Sequence, residues 1–111
     1  MTFANLRGLG PALAIAATIF LQLGSAPASA QEIQITIDNF TFSPNELKLK
    51  IGDSVTWTNH DDIPHTVVSA GKFRSKAMDT DDKFTFTFTA AGDYKYFCSL
   101  HPHMTGMIKV E

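Results

Sequence analysis

From Glu32 onward, apolar and polar residues alternate with a period of two, and no helical period stands out. EIQITID sets Ile33, Ile35 and Ile37 on one face. NELKLKIG sets Leu47, Leu49 and Ile51 against Lys48 and Lys50. DSVTWTN alternates through Val55 and Trp57, and HTVVS is a short β-branched run. KFTFTFTAAG sets Phe84, Phe86 and Phe88 against threonines. YKYFC alternates Tyr94, Tyr96 and Cys98, and MIKVE carries Ile108 and Val110 on one face. Turn signals separate the runs at Ser43-Pro44-Asn45, Gly52-Asp53, Gly71-Lys72 and Ala91-Gly92-Asp93. Seven short strands so spaced predict an all-β sandwich or barrel, with antiparallel sheets packed on a single core. Residues 72–82 are the least regular and predict a long loop with at most one helical turn.

The first 30 residues have a different character. MTFANLRG carries one Arg and no acid, LGPALAIAATIFLQLG is apolar, and SAPASA has the small-x-small pattern of a leader-peptidase site. The apolar stretch is short for a membrane span of roughly 20 residues. It reads as a signal peptide cut after Ala30 and predicts export to the periplasm, the alternative being a retained membrane anchor. The mature chain would be residues 31–111. Losing Arg7 lowers the basic count from 9 to 8 against 11 acids, a formal charge of −3. That charge is too mild to name a partner, and no basic run points to nucleic acid. A domain this small often gains from a metal or a disulfide. The single Cys cannot form an internal disulfide, and a lone Cys in an exported chain calls for another reason.

CSLHPHMTGM, residues 98–107, supplies one. It concentrates Cys98, His101, His103, Met104 and Met107 at and after the end of one predicted strand, while His65 follows Pro64 at the start of another. A His from one strand edge can thus meet a ligand cluster at the end of its neighbour. Two imidazoles, a thiolate and a weak axial thioether form the trigonal blue-copper set. Zinc can also use Cys and His but gains little from a thioether, so the Met favours copper. His60, in TNHDD, reads as a solvated turn residue.

These residues bring a resemblance into view. The mature chain resembles the cupredoxins of the amicyanin and plastocyanin type, through F-T-F-S-P (40–44), G-D-S-V-T-W-T-N (52–59), P-H-T-V (64–67), G-D-Y-K-Y-F-C (92–98) and H-P-H-M-T-G (101–106). The resemblance implies a Greek-key β-sandwich of seven to eight strands, one type 1 copper ion and electron transfer rather than enzymatic turnover. Two ligand spacings fit such proteins. Cys98, His101 and Met104 match the short amicyanin loop, and Cys98, His103 and Met107 match the longer azurin loop. In the family the axial Met is followed by x-Gly and an alternating final strand, as Met104-Thr105-Gly106 is here. Ile108 and Val110 must face the core because Lys109 is costly to bury, so Met107 shares the outward face with Lys109. The expected ligand set is therefore His65, Cys98, His101 and Met104, with His103 on the rim.

The resemblance also implies Asn59 as a backbone donor to the Cys98 sulfur. Many relatives carry Asn after the first ligand His, and here that position is Thr66. The hydrogen bond to the residue after the Cys must then run from Thr66 to Ser99 or be absent. Leu100 and Pro102 would form an apolar rim around the exposed edge of His101, and Phe97 a second electron exit. The function implied is a monomeric, periplasmic, mobile one-electron carrier that docks transiently on a dehydrogenase, cytochrome or oxidase. Amicyanins accept electrons from methylamine dehydrogenase, but nothing in these residues singles out that donor. The alternative is a periplasmic copper chaperone or resistance protein, with His103, Met107 and His60 as transfer ligands. A thiol enzyme fits poorly, because an inward strand-end Cys is a poor open nucleophile.

Overall fold

Strands dominate the computed structural model, which describes residues 29–111; the predicted leader lies outside the described residues as far as residue 28. In chain order the strands are β1 (Glu32–Asp38), β2 (Thr41–Ser43), β3 (Glu46–Leu49), β4 (Ser54–Asn59), β5 (Val68–Ser69), β6 (Phe73–Arg74), β7 (Lys83–Thr87), β8 (Gly92–Cys98) and β9 (His101–Val110). They form a four-stranded sheet of order β2-β1-β4-β7 and a five-stranded sheet of order β3-β9-β8-β5-β6. The seven predicted runs correspond to β1, β3, β4, β5, β7, β8 and β9. The two additions, β2 and β6, have 3 and 2 residues, too few to display a period. Residues 72–82 hold β6 and an isolated bridge between His65 and Met78, with no helical turn.

Two pairings correct the expectation of purely antiparallel sheets: β1 runs parallel to β4, and β3 parallel to β9. Parallel neighbours need a crossover rather than a hairpin. Here the chain crosses to the opposite sheet at β3 before returning as β4. Alternation reports which face of a strand is buried but carries no sign of its partner's direction.

The alternating faces meet in one core that includes Ile35, Ile37, Phe42, Val55, Trp57, Phe88, Tyr96 and Ile108. Ile51 departs from its predicted place and is exposed. Strand β3 ends at Leu49, and the Asp53 carboxylate then accepts the N–H groups of Lys50 and Gln31, at 3.0 and 2.9 Å, turning the chain away from the core. Tyr96 packs edge-on against Phe42 and Trp57, with centroids 4.7 and 5.4 Å apart. Its ring lies so close to Gly106 that a Cβ there would overlap it, which explains a glycine two residues after Met104.

The β1–β2 connection has two residues, Asn39 and Phe40, at φ of 52° and 58°. Two positive φ values in a two-residue hairpin loop are the mark of a type I′ turn, whose second position strongly favours glycine. Phe40 occupies it at a steric cost of roughly 1–2 kcal/mol.

Candidate metal centre

One end of the sandwich gathers the β1–β2 turn, the segment from His60 to Thr66, the chain around Thr80, and the β8–β9 turn. Asn39 N–H reaches Asp61 at 2.6 Å, the Thr80 hydroxyl donates to the Asp61 carbonyl at 2.6 Å, and Ser99 N–H donates to Thr66 Oγ1 at 2.7 Å. Here His65, Cys98 and His101 come together, with their ligand atoms all within 4.8 Å of one another.

Cys98 ends β8, where alternation from Tyr94 and Tyr96 points it inward, and it is completely buried. Phe97 faces Thr105 across the β8–β9 ladder, yet the next residue, Cys98, faces His101. Pro102, His103 and Met104 therefore have no residue opposite them and bulge from the ladder. The expected ligand loop is thus an irregular start to β9. The bulge lets residues three apart share one side: Met104 is buried in the same cluster as Cys98 and lies close to it, His65 and His101, while His103 is exposed. Beyond the bulge Ile108 and Val110 are buried and Lys109 is exposed. Half-buried Met107 lies on the outer face, lining a groove with Lys95, Phe97 and Thr105.

His65 is held on three sides. Its backbone exchanges two hydrogen bonds with Met78, at 3.2 and 2.8 Å. Asn59 Nδ2 ties down the same segment by donating to the carbonyls of Ile63 and Met78, both at 2.9 Å. The His65 Nε2 lies 2.7 Å from Asp61 Oδ2. Burial raises the Asp61 carboxyl, but the N–H groups of Phe40 and Asn39 and the His65 ring outweigh it and hold the group below the usual carboxylate range. An ionised carboxylate only accepts, so the His65 proton sits on Nε2 and the Nδ1 lone pair is free. That Nδ1 is 3.7 Å from the Cys98 sulfur, as is the Nδ1 of His101.

Thr66, not Asn59, is the backbone donor to the sulfur: its N–H lies 3.3 Å from Cys98 Sγ. Asn59 instead spends its side chain on the loop that carries His65. The Thr66–Ser99 link exists, with the two hydroxyl oxygens 2.8 Å apart. If Ser99 donates through both its N–H and its O–H, the one hydroxyl proton of Thr66 is left for Cys98 Sγ, 3.7 Å away. Burial pushes the Cys98 thiol up, but hydrogen bonds led by that of the Thr66 N–H bring it down to about 6. The sulfur is thus prepared as a thiolate, the form that binds metals.

A transition-metal ion fits this triangle. Bonds of about 2.3 Å to sulfur and about 2.0 Å to nitrogen, at a trigonal angle of roughly 120°, separate the two donor atoms by about 3.7 Å. Both S···N distances have that value. Phe40 completes the surroundings, with its ring edge-on to His101 at 4.9 Å and to His65 at 5.4 Å. The sequence reading missed Asp61 and Phe40. Asp61 had a signal, an acid four residues before a ligand His with a Pro between them. Phe40 opens the F-T-F-S-P match, but its place in a turn gave it no role. His60 is exposed and lies 3.9 Å from Asp81, away from the triangle.

The chain is similar to several known proteins. A family model described as a cupredoxin-like domain matches residues 11–110. The amicyanin of Paracoccus denitrificans is 34% identical over 112 residues, covering 94% of this chain and 86% of that protein. Among solved structures, a purple cupredoxin from Nitrosopumilus maritimus superposes with a TM-score of 0.68 at 35% identity, covering 71% of this chain and 99% of that one. A Cu(I) amicyanin variant gives 0.69 at 32% identity, covering 72% and 82%.

Proposed function

Because the chain belongs to the cupredoxin family and is an electron carrier of that family with one type 1 copper ion, we propose that it works as a mobile periplasmic carrier that docks transiently on redox partners. The residues that would hold the ion are His65 and His101 through Nδ1, Cys98 through its thiolate and Met104 through its thioether. Copper supplies a one-electron couple, and the chain's task is to keep the donor atoms in one arrangement for both oxidation states. The observation that carries this reading is the equal 3.7 Å separation of the Cys98 sulfur from two imidazole nitrogens, formed by the polypeptide itself. Asp61 and Thr66 fix that arrangement from outside, so little needs to move when an electron arrives. Half-exposed His101, beside exposed Leu100 and Pro102, offers the partner an apolar approach to a ligand. A redox dehydrogenase of the kind that serves amicyanins is a suitable donor.

Adding Cu(II) to the purified protein should produce an intense sulfur-to-copper charge-transfer band. His101→Ala should abolish the band and His103→Ala should spare it. A colourless complex would exclude the type 1 assignment, and the reverse pattern between the two variants would move the ligands to His103 and Met107. A carrier should also keep its copper against a chelator, whereas a chaperone should release it.

A further inference from the structure

The ring of Phe40 is an expense the fold does not require. It occupies the second position of a type I′ turn at φ 58°, where glycine is the residue of choice, and it is 43% exposed. It adds little to the core, whose neighbouring aromatic from the same hairpin is the buried Phe42. Strain held at an exposed aromatic calls for a role elsewhere. The contacts of Phe40 supply one: its ring meets both imidazoles of the metal centre edge-on, and those imidazoles meet each other at 5.0 Å. The turn is also anchored to the site. The Asp61 carboxylate accepts the N–H groups of Asn39 and Phe40, at 2.6 and 3.0 Å, and the same carboxylate holds His65 Nε2 at 2.7 Å.

We infer that Phe40 is a positioning residue for the copper centre: a strained aromatic cap, held in register with His65 by Asp61, that pins the outer flank of the His101 ring. A ring packed at 4.9 Å against His101 blocks its rotation away from the donor triangle and keeps water off that flank. Asp61 fixes His65 directly and His101 through Phe40, so one carboxylate sets both imidazoles.

This inference rests on the copper reading above, and the test separates the two. Phe40→Gly, Phe40→Asn and Phe40→Tyr are prepared beside the wild type, since Gly and Asn both tolerate positive φ and Tyr keeps the ring. Without metal, Phe40→Gly should melt at or above the wild-type temperature because the turn strain is gone. In NMR spectra of the metal-free protein, the Phe40 contribution to the ring-current shifts of the His101 ring protons should be lost in the Gly and Asn variants, moving those resonances, and kept in the Tyr variant. With copper bound, the Gly and Asn variants should lose the ion to a chelator about 10-fold faster or more, as for other groups that orient a ligand, and exchange electrons more slowly. Phe40→Tyr should restore both properties. The inference is overturned if the Gly and Asn variants hold copper and exchange electrons as the wild type does. It is equally overturned if both melt far below the wild type without metal, because Phe40 would then be a packing residue. If the wild type itself forms no charge-transfer band, the copper reading fails while the metal-free spectra still report on the cap.

Discussion

The two imidazoles of the centre are held in opposite ways. His65 is completely buried, and its backbone pairing with Met78, the Asp61 carboxylate and the Asn59 amide that ties down its segment fix it from three directions. His101 begins a bulge and is half-exposed, and among the described residues no hydrogen bond reaches its Nε2. One ligand is thus part of the fold and the other rests upon it. The difference teaches that rigidity and access, which an electron carrier needs together, fall to separate residues: buried His65 is the fixed one, and half-exposed His101 is the one a partner could reach.

The strongest way to break this contrast is to truncate each ring in turn. His65→Ala removes a buried side chain and leaves Asp61 without its partner, so metal-free stability should fall by roughly 3 kcal/mol. For a domain of this size that is a melting-temperature drop of about 10 °C or more by calorimetry. His101→Ala should cost less than about 1 kcal/mol, as surface substitutions usually do. Added imidazole should restore the charge-transfer band of His101→Ala but not of His65→Ala, because only the first leaves a gap open to solvent. Equal losses for the two variants would erase the distinction.

A milder test targets the carboxylate behind the buried ligand. Asp61→Asn should cost about 1–2 kcal/mol of metal-free stability, because three hydrogen bonds to a charged acceptor are weakened. The Asp61 carboxyl titrates below its ordinary value in the folded protein. Its contribution is therefore complete above the ordinary carboxylate range and lost as the pH falls through the lower folded value. Denaturant midpoints measured across the acid limb should fall steeply for the wild type and less steeply for Asp61→Asn. The reduction potential should rise in that variant, since the carboxylate favours the more highly charged oxidised ion.

The smallest effect concerns the sulfur. Ultraviolet titration of thiolate in the metal-free protein should show a midpoint near 6 for Cys98, and Thr66→Val should raise it. Because the folded value lies below the ordinary thiol value of 9.0, metal-free stability should rise with pH between about 6 and 9.0, then level off. A wild-type midpoint near 9 would show that the hydrogen bonds around the sulfur, that of the Thr66 N–H first, do not prepare the thiolate.

Much of this was legible in the chain. Phe84, Phe86 and Phe88 against threonines reveal a one-sided strand, and the placement of Lys109 turns Met107 outward and leaves Met104 inside. What escaped depends on partners remote in sequence. Nothing in residues 46–49 announces a parallel neighbour at residues 107–110. Nothing in Asn59 says that its amide serves Ile63 and Met78 while Thr66 serves the sulfur. Ile51 satisfied the alternation but lay past the point where Asp53 reverses the chain. Phe40 was hidden for another reason: its turn residue breaks a local preference, and only the rings beyond it explain why.

The placement of β9 has a consequence for how the protein is made. It is an interior strand of its sheet, flanked by β3 and β8, and it carries two of the four proposed ligands. A nascent chain that has not yet released residues 101–110 has neither a closed second sheet nor a complete donor set. Copper loading at the complete donor set must therefore wait until the polypeptide is synthesised past that strand.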